Sequence, residues 1–138
     1  MIDFAGLWHG FQIAATPVNL MWGLIGCALG TAVGVLPGLG RAATIALVLP
    51  ISMKMGPPVT AIILMSGIFY GAMYGGSTTS ILLKIPGEAA SVVTCIDGYE
   101  MAKGGRAGAA PGGAASGSFI AGTIGLPGLT MMAPPLAA

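Results

Sequence analysis

Charge is what this sequence lacks. Lys and Arg number 5 and Asp and Glu number 4 among 138 residues, so charged residues make up 7%. An ordinary soluble domain carries roughly 25%, and a fold of this length with so few has no polar surface to present to water. Disorder is excluded by the opposite measure: 55% of the residues are hydrophobic, whereas disordered segments are poor in apolar residues and rich in charge. The 24 glycines follow no three-residue period, which excludes a collagen-type helix. Net charge is +1, with no basic stripe beside an aromatic ladder, so nothing here fits a nucleic acid. The two cysteines, Cys27 and Cys95, stand far apart in apolar stretches and form no CxxC pair. Zinc and dithiol chemistry are not indicated, and buried, inert thiols are expected. The class that remains is an integral membrane protein.

What the sequence does have is uncharged runs. Residues 10–40, 42–53, 55–83 and 107–138 carry no charge, and Lys84, Glu88, Asp97, Glu100, Lys103 and Arg106 cluster between the last two. A spanning helix needs about 20 mostly apolar residues. The pattern therefore predicts an all-α membrane fold of about three to four transmembrane helices, in a single membrane domain. Residues 1–17 form an interfacial N-terminal segment and 18–138 the transmembrane part. The first span is expected over 18–36, ended by Pro37, with Trp8 and Trp22 at headgroup level. The second is expected over 58–76, where Pro57 and Pro58 suit a helix start. The third is expected over 107–126, interrupted by Pro111, Gly112 and Gly113, and 129–138 reads as the start of a fourth. Two pieces are too short to span: 42–53, and 77–96 with its break at Pro86-Gly87. Such pieces read as broken or re-entrant helices, tolerated where protein or a water-filled cavity satisfies the backbone. No secretory signal is evident at the N-terminus. Lys103 and Arg106 favour placing the 97–106 loop in the cytoplasm.

Glycines recur four residues apart at 6/10, 26/30, 30/34, 34/38, 67/71, 71/75, 104/108, 108/112 and 113/117. Chance at this glycine content gives roughly four such pairs, so the excess points to close backbone approach between helices. The 26/30/34 and 67/71/75 ladders lie inside expected spans and are the stronger; helices paired by them can approach and still slide. The pairs at 104/108 and 108/112 also fit a glycine-rich loop.

Two stretches can carry chemistry. In 34–44, Pro37 breaks a helix, and Gly38 and Gly40 let the backbone turn around Leu39 before a new helix starts near Ala42. Its free N–H groups and positive dipole end suit an anion, a carboxylate included. The competing reading is a plain interhelical turn. In 74–91, Gly75 and Gly76 loosen the helix and Ser77, Thr78, Thr79 and Ser80 supply four successive hydroxyls. Pro86-Gly87 opens a second break, with Glu88 and Ser91 in the first turn after it. Hydroxyls can bind a carboxylate or, with backbone carbonyls, a sodium ion. Equally, they can bond their own helix backbone. Arg41 and Lys84 read as interfacial, Arg41 alternatively as attracting an anion; Asp97 can bind a cation or cap a turn, and Asp-Gly being a common turn pair favours the turn; His9 reads as interfacial. Ser80 and Lys84, one helical turn apart, would be the only nucleophile–base pair of a hydrolase. Nothing else supplies an oxyanion hole, so no enzyme is expected.

These motifs are recognisable together. GVLPGLGRAATIALVLPISM at 34–53, the run from Pro57 to Gly108 with its Tyr70–Gly105 motif, GSFIAGTIGL at 117–126 and MAPPLA at 132–137 resemble the large membrane subunit of the tripartite tricarboxylate transporters, the TctA family. The resemblance runs from about residue 17 to the end. It implies a multi-pass secondary transporter of the bacterial inner membrane, with sodium or a proton as coupling ion and no other cofactor. It implies a small membrane subunit and a periplasmic solute-binding protein as partners, and a di- or tricarboxylate as solute. It also implies two related halves, each with a Pro-Gly break. Pro37, Gly38, Leu39 and Gly40 would form one part of a midplane site. Gly75, Gly76, Ser77, Thr78, Thr79, Ser80, Pro86 and Gly87 would line it. Arg41 stands where the family has Pro or a small residue, and Lys84 where it has Asn. Pro111, Gly112, Gly113 and Pro127 fall in what is usually a smoother helix. Family members are several times longer, so the chain is expected to be an N-terminal portion that does not transport alone. The alternative class is a self-associating membrane scaffold or small pore.

Overall fold

The computed structural model describes residues 4–38, 40–54, 56–87 and 89–136, and every structural element among them is helical. Helix α1 spans Phe4–Ala14. Helix α2 spans Pro17–Gly34, with Pro17 in the first turn, where a missing N–H costs nothing. Helix α3 spans Gly40–Ser52 and tolerates Pro50 near its end. Helix α4 spans Pro58–Leu83, again opened by proline. A short 3₁₀ turn, Ala89–Ser91, leads into α5, Val92–Met101. A π-helical turn, Ala102–Arg106, contains a kink at Gly105 (φ 84°) and leads to α6, Ala109–Leu136. Among the described residues, α2 and α4 are the two helices long and apolar enough to cross a membrane.

The core of the fold is the α2–α4 contact, and glycine builds it. A Cβ on Gly26, Gly30 or Gly34 would fall under 3.0 Å from the carbonyl oxygen of Leu64, Ile68 or Ala72 respectively. A Cβ on Gly67, Gly71 or Gly75 would meet the carbonyl oxygens of Gly23, Cys27 and Thr31 at similarly short range. Each helix thus lays backbone against backbone, as small-residue faces allow. Ile68, fully buried, and Leu64 fill the space between. The remaining glycine pairs do not act this way: Gly10, Gly38, Gly104, Gly108, Gly112, Gly113 and Gly117 have nothing within 4 Å of a Cβ position.

The facing numbers climb together, 26 with 64, 30 with 68 and 34 with 72, so α2 and α4 run parallel. Two hydrogen bonds mark the ends of the pair. Thr60 Oγ1 donates to Asn19 Oδ1 (2.9 Å), and Asn19 Nδ2 donates to the Ile13 carbonyl (2.8 Å), tying α1 to the same point. At the other end Thr79 Oγ1 donates to the Val35 carbonyl (3.0 Å). Parallel neighbours require the chain between them to travel back the length of α2, about 27 Å for its 18 residues. Helix α3 with its flanking turns makes that return, so this stretch runs from one end of the pair to the other. The short piece expected at 42–53 as a broken or re-entrant helix is thus the link between the two ends of the pair.

Three further boundaries differ from the sequence reading. Helix α4 continues through Gly75–Ser80 without loosening and ends at Leu83, seven residues beyond the expected 76. Gly75 is held against α2 and Gly76 against Gly87, so tertiary contact secures backbone that local propensity leaves weak. Residues 109–136 form one helix, so the expected separation of a third span from a fourth at 129 does not occur. Pro111 sits in its first turn, where proline is accommodated. Asp97-Gly98 lies within α5 and not in a turn, because Gly98 packs against the Ile81 side chain, 2.7 Å from a Cβ position.

Candidate functional site

The helix breaks come together. Beyond the level of Gly34, α4 overhangs the end of α2, and the Lys84–Gly87 segment folds back onto the overhang. A Cβ on Gly87 would lie 2.6 Å from Gly76 Cα and 3.0 Å from the Gly34 carbonyl oxygen. One glycine from each of three segments therefore meets at a single buried point. The turn after α2 borders it through the Thr79–Val35 bond. In that turn Pro37 and Gly38 are exposed, and Gly38 takes φ +98°, a conformation that glycine adopts without strain. Gly40 begins α3. Leu39, and Glu88 beside the second break, lie outside the described residues. Pro86 is exposed.

The four hydroxyls each donate to a carbonyl of their own helix. Ser77 bonds Met73 (3.0 Å), Thr78 bonds Tyr74 (2.9 Å), Thr79 shares its one proton between Gly75 (3.2 Å) and the Val35 carbonyl, and Ser80 bonds Gly76 (2.8 Å). Thr79 and Ser80 are buried, Ser77 and Thr78 partly exposed. The protons are thus committed, and what the hydroxyls still offer is oxygen lone pairs. Ser80 is fully buried. Lys84, in the left-handed conformation (φ 58°), places its ammonium over the Tyr99 ring at 5.1 Å. The two do not form a nucleophile–base pair. Arg41, the other cation at a break, lies over the Phe69 ring at 4.8 Å.

A groove of about 930 Å³ opens beside these breaks, between α4 and α6. Tyr70, Met73, Tyr74 and Ser77 line it from α4, Cys27 from α2, Ala90 and Ser91 from the 3₁₀ turn before α5, and residues from Ala115 to Pro127 from α6. Of the stretch 74–91 singled out in the sequence, Tyr74, Ser77, Ala90 and Ser91 line it, and of the expected site residues Ser77 does. The sequence signal that could have found the groove is the Tyr70/Tyr74 pair, one turn apart on an otherwise aliphatic span. Lys and Arg are missing from its lining.

Among the described residues the fold is all helical and fits a membrane protein: α2 and α4 pack through glycine, and the interrupted helices meet at one point. The family model of the Tripartite tricarboxylate transporter TctA family matches residues 20–138. The chain belongs to that family, whose members are the membrane components of tricarboxylate transporters. It is also similar to a protein of Agrobacterium vitis described as "Uncharacterized 52.8 kDa protein in TAR-I ttuC' 3'region", at 58% identity over 128 residues. That match covers 93% of this chain and 25% of the relative, so the chain spans a quarter of the length of the curated relative it matches. No solved structure matches it.

Proposed function

We propose that the chain is the N-terminal part of the membrane subunit of a binding-protein-dependent secondary transporter for tricarboxylates or related carboxylates. The family match over residues 20–138 is the observation that carries this reading. The subunit is a multi-pass protein of the bacterial inner membrane, with Lys103 and Arg106 on the cytoplasmic side. It works with a small membrane subunit and a periplasmic solute-binding protein, and an ion gradient, sodium or proton, drives uptake. The solute site includes the break at Pro37–Gly40, where the N-terminal end of α3 supplies the positive dipole end that suits a carboxylate. The buried junction of Gly34, Gly76 and Gly87 closes against it. The hydroxyls of Ser77–Ser80, with protons engaged and lone pairs free, suit the coupling cation better than the anion.

The test is uptake of radiolabelled citrate and succinate by the full-length gene product, expressed with its small subunit and binding protein. Each variant is checked for membrane abundance. Gly38→Leu removes the left-handed turn and Gly87→Ala adds a methyl at the triple-glycine point. Both are expected to abolish uptake at normal abundance. Collapsing the sodium or the proton gradient separately identifies the driving ion. Full uptake in both variants would reduce the breaks to plain turns. No carboxylate uptake by the wild type with its partners would refute the transporter reading.

A further inference from the structure

Arg41, one of five basic residues, stands inside the membrane-spanning part of the fold. Its guanidinium lies over the Phe69 ring, 4.8 Å from the centroid. Phe69 is near the midpoint of α4, about 17 Å of helix rise from Pro58 and about 21 Å from Leu83. The uncharged run around it is bounded by Lys54 and Lys84, each 15 residues away. Arg41 is therefore at mid-depth, too far from either end of α4 to snorkel to a headgroup layer. The interfacial position expected from sequence is not the one it takes. Nor does it turn outward to lipid. Arg41 and Thr44, three residues apart, share a face of α3. Thr44 is buried and Arg41 half-buried, and the Phe69 contact sets that face against α4.

A charged side chain at this depth is held by an opposite charge or by water in a cavity, and it marks a functional site by default. Contact with a ring engages the flat face of the guanidinium. Its five N–H donors radiate from the edge, in a fork that matches a carboxylate. The acidic residues of α5, Asp97 and Glu100, are not at this level. Gly98 between them packs on Ile81, about 18 Å of helix rise farther along α4 than Phe69. Arg41 instead follows directly on the Pro37–Gly40 break.

We propose that Arg41 supplies the fixed positive charge of the solute site, holding a carboxylate of the solute at mid-depth through paired N–H groups. This rests on the transporter reading above and adds to it the residue that selects for an anion. An acidic side chain elsewhere in the full-length subunit would offer Arg41 the same chemistry, and the experiment separates the two sources.

Citrate and succinate uptake is measured against concentration in cells expressing the full-length subunit with its partners, as wild type, Arg41→Lys and Arg41→Gln. Membrane abundance is followed in each, and the melting temperature of the purified subunit is taken with and without citrate. Arg41→Gln should raise the half-saturating citrate concentration about tenfold or more at unchanged abundance. Arg41→Lys keeps the charge without the fork and should fall between. Citrate should raise the melting temperature of the wild type and not that of Arg41→Gln. An internal ion pair gives a different pattern: Arg41→Gln melts lower without citrate or fails to accumulate, and Arg41→Lys half-saturates as the wild type does. That pattern would overturn the proposal, as would failure of both variants to accumulate. Unaltered half-saturation and citrate stabilisation in Arg41→Gln would overturn it as well. In each of these cases, wild-type uptake that is lost in Gly38→Leu leaves the transporter reading intact. No uptake of either solute by the wild type removes both.

Discussion

Replacing Gly30 by alanine adds one methyl group, and the structure says where that methyl goes. Its carbon would fall under 3.0 Å from the Ile68 carbonyl oxygen, Cα and carbonyl carbon, whereas ordinary contact begins at 3.4 Å. All three are backbone atoms, so no rotamer change absorbs the overlap, and α2 and α4 must separate locally by about an ångström. A gap of about 0.5–1 Å forfeits a quarter to a half of each neighbouring contact, and overpacking of this kind costs about 1–3 kcal/mol. Two controls make the number diagnostic. At Gly23 the nearest atom is the Ile63 Cγ2 at 3.4 Å, a side chain in ordinary contact. At Gly117 nothing lies within 4 Å. Gly23→Ala should change stability by no more than about 0.5 kcal/mol, and Gly117→Ala should be neutral or stabilising by up to about 1 kcal/mol, because alanine favours helix. Reversible unfolding in mixed detergent, followed by tryptophan fluorescence and helical circular dichroism, measures all three. Equal effects at the three positions, or a larger loss at Gly117 than at Gly30, would refute the parallel backbone-to-backbone packing of α2 and α4.

The polar pins give three further predictions. Asn19→Ala strands the buried Thr60 hydroxyl and releases the Ile13 carbonyl; it should cost about 1–3 kcal/mol and speed amide exchange at the α1–α2 junction. Thr79→Val removes the bond to the Val35 carbonyl, so exchange should quicken in the 35–38 turn, whereas Ser80→Ala, which removes a bond within its own helix, should leave that turn unchanged. Lys84 occupies a left-handed conformation at the end of α4. Lys84→Gly should therefore be more stable than Lys84→Ala by about 1 kcal/mol in the same detergent titration, since both lose the Tyr99 contact and glycine alone escapes the Cβ strain.

The two principal helices were legible because their signals are local. Pro17 and Pro58 mark their starts, and the 26/30/34 and 67/71/75 glycines mark their contact faces. What was not legible depends on partners distant in sequence. Gly75 and Gly76 read as a weak point in isolation; against α2 and Gly87 they are a packing surface, and the helix runs through them. The same holds for Gly98, a turn signal beside Asp97 that is kept helical by Ile81. The breaks at Pro37-Gly38 and Pro86-Gly87 were visible as breaks, but their meeting over Gly34 and Gly76 follows from α2 and α4 being parallel, which no local pattern encodes. The groove escaped for a related reason: its walls come from four elements, and only the mid-helix tyrosines hint at it.

Glycine faces alone would let α2 and α4 slide, since smooth backbone offers little register. Here Asn19–Thr60 fixes one end and Thr79–Val35 the other, with six carbonyl oxygens seated in glycine notches between them. Sliding by one helical turn would break both pins and drive facing carbonyls out of their notches. The pair therefore moves as one body. Helix α6 is held differently: a Cβ on any of its glycines from Gly112 to Gly128 would meet no atom of another element within 4 Å, and most of its described side chains are exposed. It is joined to the pair through α5 and a π turn with a kink at Gly105. On the proposed transporter reading the subunit alternates between two states, which needs a rigid part and a part that shifts against it. The division falls between the pinned α2–α4 pair and α6, which is where the groove lies. Motion of α6 about the Gly105 kink would widen or close that groove while leaving the three-glycine junction undisturbed. Gly105→Ala, which strains the left-handed kink (φ 84°), should then slow citrate uptake at normal membrane abundance. Unimpeded uptake in Gly105→Ala would show that the kink is not a hinge of transport.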